Sequence, residues 1–394
     1  MSPNRSAVLA TGSLAFSLIV ACGGLIDSSE SPTGPLDDGG SLPSDAGVES
    51  VTRPPATDVG TSPGDSGSSD SGSSRIVSCG DASLVDLDTD DANCGACGVP
   101  CAGTCTLGRC MIVLAAVSEA TGLAVDAENV YFSAYDRTVK KVPTSGGAVT
   151  TLVSGLKAPW GIAVDATTLY YADANIFGGG FQATLGSVPI AGGPNTVLVT
   201  SLEGGRFVAL ADGNIYWDSG NYVNSTDHAE IEFVSKSGGT ATALIPGTAA
   251  INGIVAAGDT LFYVDDFGVW AISLAGGSPR SVATGGGYSL ALDETYAYYL
   301  STGSILRVPL AGGPVVTLAS GLNTPQAIAV DSTDVYVAVE YGINESYIAK
   351  VSKSGGPVVT LVGGQQDTTA IAVDEASVYW LCTHSAGSVR KLSK

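Results

Sequence analysis

Histidine and methionine are nearly missing, with two of each in 394 residues. Two imidazoles leave little material for a multi-histidine metal centre or for imidazole acid–base chemistry. Charge is thin too. Only 14% of residues are Asp, Glu, Lys or Arg, against roughly a quarter in ordinary globular proteins. Basic residues are the scarcer sign, 17 against 38 acidic, for a net charge of -21. A nucleic-acid backbone requires Lys/Arg patches, so no nucleic-acid partner is expected. No G-x-S-x-G elbow stands where a strand would turn into a helix. Apart from the amino-terminal stretch, no apolar run approaches the length of a membrane span. The abundant components are glycine, at 52, and apolar residues, at 44%. That apolar content permits a substantial core.

The chain opens with one arginine, Arg5, and an apolar stretch from Ala7 to Ala21. The stretch is too short to span comfortably and suits the apolar segment of a signal peptide over residues 1–21. It ends Ile19-Val20-Ala21-Cys22, which resembles a bacterial lipobox. The resemblance implies diacylation of the Cys22 thiol, cleavage before it and acylation of the new amino group. Two or three acyl chains give stable anchoring where one is marginal. Gly23 rather than Asp follows, which by family analogy does not favour inner-membrane retention. A lipid-anchored protein of the bacterial envelope, in the outer membrane or at the cell surface, is expected. Residues 22–75 are then dominated by Gly, Ser, Pro and Asp, as in GDSGSSDSGSS. Such a segment cannot bury enough surface to offset chain entropy and reads as a disordered tether. Its root-mean-square span is roughly 40 Å.

Residues 76–110 hold Cys79, Cys94, Cys97, Cys101, Cys105 and Cys110. In an exported segment this density reads as a disulfide framework, with 15 possible pairings left open. The single C-x2-C has no second copy and no nearby histidine, which argues against zinc. The aspartates Asp86, Asp88, Asp90 and Asp91 could hold calcium, but no Gly/Glu loop pattern follows, and a solvated acidic loop is the simpler reading. The stretch resembles short Cys-rich modules of exported bacterial proteins.

Residues 111–394 are repetitive. Ile-Ala-Val-Asp elements end at Asp126, Asp165, Asp293, Asp331 and Asp374, and Ala211 and Ala257 fill the same position in two further units. The spacing, from 36 to 46 residues, is that of propeller blades. Each unit offers four short strands, A to D. Strand A alternates small residues, as expected near an axis where space tapers. Strand B carries consecutive large apolar residues such as Tyr131-Phe132, Tyr216-Trp217 and Tyr298-Tyr299. Neighbours on a strand point to opposite faces, so both faces must be covered. A Gly-Gly turn joins strands C and D, and the repeated Asp is placed to accept turn N–H groups.

The seventh unit stops before its strand D, and Met111-Ile-Val-Leu-Ala115 stands one repeat interval ahead of the first unit. The expected fold is therefore all-β: a seven-bladed propeller of four-stranded blades, closed by pairing residues 111–115 with 389–394. Six blades is the alternative, should the divergent unit 206–252 fold irregularly. LYYAD, LFYVD and IYWDS resemble the YWTD repeats of lipoprotein-receptor propellers, and GIAVD resembles NHL-type and TolB-like repeats. Typical YWTD domains have six blades, and the Trp-Thr pair is absent here, so receptor-type ligand contacts do not carry over.

On a rigid scaffold, loops that vary are where binding resides. The A–B and C–D turns are uniform, whereas the D–A and B–C loops vary. Candidate ligand-binding residues are Trp160, Arg206, Asn252, Tyr288 and Gln326 in D–A loops. In B–C loops they are Asp218, Tyr222, His228 and Asp265, with Asp136, Arg137, Asp173, Asp266, Glu340 and Tyr341 on the same face. His384 is the other B–C histidine, and Cys382 reads as a buried thiol. The reading is a monomeric, non-catalytic propeller that binds a protein, peptide or glycan, with no cofactor and no metal. One alternative resembles the seven-bladed streptogramin lyases and six-bladed lactonases, with His228 and Asp218 or Asp265 serving a metal at the mouth. The other is an envelope-assembly scaffold, by analogy with lipid-anchored propellers.

Overall fold

The computed structural model describes residues 75–79, 84–117, 119–173, 183–202, 204–219, 229–341, 345–383 and 387–394. The leader, Cys22, the tether, Tyr222, His228 and His384 lie outside them. Residues 120–365 form six four-stranded antiparallel sheets, each in the order A-B-C-D, and residues 368–393 supply strands A, B and C of a seventh. Blade 1 is Ala120–Val125, Asn129–Ala134, Thr138–Pro143 and Thr150–Ser154. The divergent unit is a complete third blade, Gly204–Ala211, Asn214–Ser219, Ala229–Ser235 and Thr242–Thr248. This settles the count at seven. Each inner strand touches the inner strand of the next blade, and that of blade 7 (Thr368–Val373) touches that of blade 1.

Blade 7 has three strands from its own unit, and Arg109–Ala116 supplies the fourth. Val389 pairs with Ala115, and Leu392 with Met111. A fifth strand, Thr104–Thr106, lies outside it, joined through a hairpin in which Cys105 faces Cys110. The Cys-rich segment thus continues the closing sheet. Its disulfides are Cys79–Cys97, Cys94–Cys105 and Cys101–Cys110.

The consecutive aromatics do what their strand positions dictate. Tyr131 and Phe132 are both fully buried. Tyr131 packs with Ile162, Leu169 and Val188 of blade 2, while Phe132 packs with Ala370, Trp380 and Leu392 of blade 7. Tyr298 and Tyr299 divide likewise between two cores. Each such burial is worth about 2–3 kcal/mol. The core is therefore a set of interfaces between blades.

The repeated Asp ties these interfaces together at the A–B end. Asp331 Oδ1 accepts from the Thr333 and Asp334 backbone N–H groups, and Oδ2 accepts from the Tyr336 hydroxyl, each at 2.8–2.9 Å. Lys394, at the end of strand C in the next blade, reaches the same Oδ2 at 2.5 Å. Asp165 with Lys236 and Asp293 with Lys353 repeat this clamp. Where Ala211 and Ala257 replace the Asp, the residue at the lysine position in the next blade is Leu274 or Leu310. Ala211 and Leu274 pack in one core, and Ala257 and Leu310 in another.

Candidate functional site

The opposite end of the ring carries the D–A and B–C loops. There, each inner strand presents a residue five positions before the repeated Asp or its Ala replacement. In blade order these are Thr121, Trp160, Arg206, Asn252, Tyr288, Gln326 and Thr369. Thr121 is buried and the other six are half-buried. Next in the chain come residues that let neighbouring strands approach. A Cβ on Gly122 would stand 2.1 Å from the Trp160 carbonyl oxygen, and one on Gly161 would stand 2.9 Å from that of Arg206. Blade 3 has Phe207 there instead, with the Arg206 guanidinium 5.3 Å above its ring. Side chains also cross between blades at this level. Thr121 donates to the Pro159 carbonyl at 2.7 Å, Arg206 to Ile251 at 2.8 Å and Asn252 to Gly287 at 3.2 Å.

Thr121 and Thr369 complete the ring, and sequence reasoning left them out. Both are small, and loop variability drew attention elsewhere. Counting back from Asp126 and Asp374 would have found them.

The B–C acids are differently placed from open-mouth ligands. Asp173, Asp218 and Asp265 are all buried. Asp173 accepts the Lys157 and Ala158 backbone N–H groups at 2.7–3.0 Å. Asp218 accepts the Phe207 N–H at 2.6 Å and lies 3.9 Å from the Arg206 guanidinium. Asp265 Oδ1 accepts from the Phe267 and Gly268 N–H groups and from the Trp270 indole, at 2.8–2.9 Å. These carboxylates brace loops, which leaves them poorly suited to serve as bases or as shared ligands. Among the described residues no group of three His, Cys, Asp or Glu side chains could hold a metal. In the Cys-rich segment Asp86, Asp90 and Asp91 accept from local N–H or hydroxyl groups, and Asp88 pairs with Arg75 at 2.7 Å.

Other candidates are brought together in pairs. Trp160 meets Tyr135 edge-on, with centroids 6.2 Å apart. Asn252 donates to Asp266 at 2.9 Å, and Gln326 to Glu340 at 2.7 Å. Burial pushes the Glu340 carboxyl up, and the nearby Asp367 charge adds to this against the Gln326 hydrogen bond. Burial also raises the Tyr288 phenol. Asp136 pairs with Lys140, and Arg137, at φ 70°, donates to the Leu156 carbonyl. Two exposed aromatics stand on the same loops: Phe267, 68% exposed, and Tyr341, 51% exposed. Phe267 was not anticipated. Cys382 is buried, and that burial raises its thiol pKa.

No protein-family model matches the chain, and no curated protein matches it by sequence. Solved structures do. An oligogalacturonate lyase from Vibrio parahaemolyticus superposes with a TM-score of 0.56 at 8% identity, covering 72% of this chain and 93% of that one. An oligogalacturonate lyase in complex with manganese gives 0.53 at 11%, covering 67% and 85%. A chain of a nidogen/laminin complex gives 0.44 at 17%, covering 55% and 86%. At these identities the likeness is one of fold.

Proposed function

We propose that the chain is an envelope-tethered recognition propeller whose D–A/B–C face binds a protein, peptide or glycan without transforming it. The observation that carries this is an asymmetry between the two ends of one repeat. At the A–B end, five of seven units keep the same Asp and turn. At the other end, the equivalent positions read Thr, Trp, Arg, Asn, Tyr, Gln and Thr. A scaffold that repeats where it is structural and diversifies where it is half-exposed is built for one asymmetric partner. Trp160, Arg206, Tyr288, Phe267 and Tyr341 supply the residue types that anchor interfaces, which favours a polypeptide among the three. The engagement of Asp218 and Asp265 with loop N–H groups weighs against the lyase- or lactonase-like reading.

Photo-crosslinking in the native envelope tests this. A benzophenone side chain at position 267 or 341 is expected to yield a discrete adduct, and one at position 145, in a C–D turn, none. Equal labelling from both ends, or none from either, sinks the proposal. The anchor is tested separately. Metabolic labelling with a palmitate analogue is expected to mark the protein, and Cys22→Ser to abolish the label and release the chain from the membrane fraction.

A further inference from the structure

A cleft of about 510 Å³ lies between blades 3 and 4, a size within the range of small-ligand sites. Ile245, Pro246, Gly247, Thr248 and Ala249 of blade 3 form one wall, and Tyr263, Asp265 and Trp270 of blade 4 form the other. The C–D turn of blade 4, with Ser278, closes one end. Tyr263 and Trp270 stack nearly parallel, with centroids 6.4 Å apart and planes at 16°. The Trp270 indole N–H is fixed on Asp265 Oδ1 at 2.9 Å. The Phe267 and Gly268 N–H groups converge on that same oxygen, so Oδ2 takes none of the three.

The chemistry of this lining discriminates among ligands. No basic side chain lines the cleft, and a carboxylate does, so phosphates and uronates are repelled. An ammonium ligand is held best by several open ring faces, but of the two rings here Tyr263 is buried and only Trp270 is part-exposed. A proline-rich peptide is read by aromatic grooves that also donate a hydrogen bond, and the indole proton is already used. What remains is one held, part-exposed indole ring, a carboxylate oxygen that accepts, and hydroxyls on Thr248 and Ser278. We propose that the cleft binds a neutral pyranoside, with the apolar C–H side of one sugar ring against Trp270 and its hydroxyls donating to the Asp265 carboxylate. This site is separate from the loop-face ring and stands or falls without it.

Tryptophan-fluorescence titration of the full chain tests it, using cellotriose, tri-N-acetylchitotriose and trigalacturonate. At least one neutral trisaccharide is expected to bind saturably, at roughly millimolar concentration or tighter, and trigalacturonate is not. Trp270→Ala should weaken binding by about tenfold or more, and Ser145→Ala, in the exposed C–D turn of blade 1, should leave it unchanged. Thr248→Trp, which fills the cleft from a half-buried position, should block binding while the thermal unfolding curve keeps its midpoint. This second variant decides the matter should Trp270→Ala fail to fold. The proposal is overturned if neither neutral sugar saturates below about 20 mM, or if trigalacturonate binds as well. Binding that survives a folded Trp270→Ala or Thr248→Trp overturns it equally.

Discussion

A carboxylate that caps its own A–B turn and accepts a strand-B tyrosine hydroxyl recurs at Asp126, Asp165, Asp293, Asp331 and Asp374. At Asp165, Asp293 and Asp331 it is shared with the next blade's ammonium. Burial by itself would raise the Asp331 carboxyl. The hydrogen bond from Lys394, with those from the Asp334 and Thr333 N–H groups and the Tyr336 hydroxyl, outweighs burial and holds the group well below the usual carboxylate range. Asp165 and Asp293 are lowered for the same reasons, through Lys236 and Lys353. A carboxyl whose folded pKa is depressed contributes stability that is complete above its unfolded value, about 4, and is lost as pH falls toward the folded value. Urea midpoints should therefore decline steeply below about pH 4. Asp331→Asn should cost about 2 kcal/mol at pH 7 and flatten part of that decline; an unchanged acid slope would show the clamp to be inert. Tyr170 behaves oppositely. Burial, then the charge and hydrogen bond of Asp165, push its phenol up to about 12. Its contribution is thus intact below about pH 10 and lost as pH rises toward that value.

At the scale of the strand, closeness at the axis decides which residues are tolerated. A methyl group on Gly122 would meet the Trp160 carbonyl oxygen at 2.1 Å and the Ser133 hydroxyl at 2.7 Å. The carbonyl is backbone of the neighbouring inner strand and cannot turn away. Gly122→Ala should lower stability by about 2–4 kcal/mol, read from denaturant unfolding, whereas Gly98→Ala, with open space around it, is a control limited to the strain of its positive φ. Much of this scale was legible in the sequence. Paired aromatics such as Tyr298-Tyr299 announced two buried faces, the Gly-Gly turns marked the C–D hairpins, and Met111–Ala115 announced the closing strand. Other features were not legible, for physical reasons. Lys236 stands 71 residues from Asp165, and only the stacking of blades makes them neighbours. Cysteine spacing measures distance along the chain, whereas pairing depends on distance across it, so Cys94–Cys105 could not be chosen in advance. Asp218 and Asp265 were visible as acids at strand ends, but the loop N–H groups that occupy them follow from backbone conformation.

For the whole molecule, closure rests on one strand drawn from far upstream. Ser393 and Cys110 are hydrogen-bonded across a sequence separation of 283. Bringing such ends together costs about 5 kcal/mol of chain entropy, repaid only when the last sheet forms. A chain lacking residues 1–117 should therefore lose cooperative unfolding and expose the outer edge of Ser388–Ser393 to association. Analytical ultracentrifugation with a thermal melt reads both effects, and a monomeric variant with an unaltered transition would show the ring to be self-sufficient without that strand.

The route by which that strand joins the rest of the chain also sets a load path. Any pull transmitted from residues before 75 enters through a segment bound by Cys79–Cys97, Cys94–Cys105 and Cys101–Cys110, and arrives at the seam that holds the disc shut. While those covalent bonds persist, the bridges and the few backbone steps between them limit the span from Cys79 to Cys110 to roughly 40 Å, and further tension falls on the seam. Once they are reduced, the stretch from Cys79 to Cys110 can extend to roughly 100 Å, so the same module should be a shorter coupling in an oxidising medium than in a reducing one.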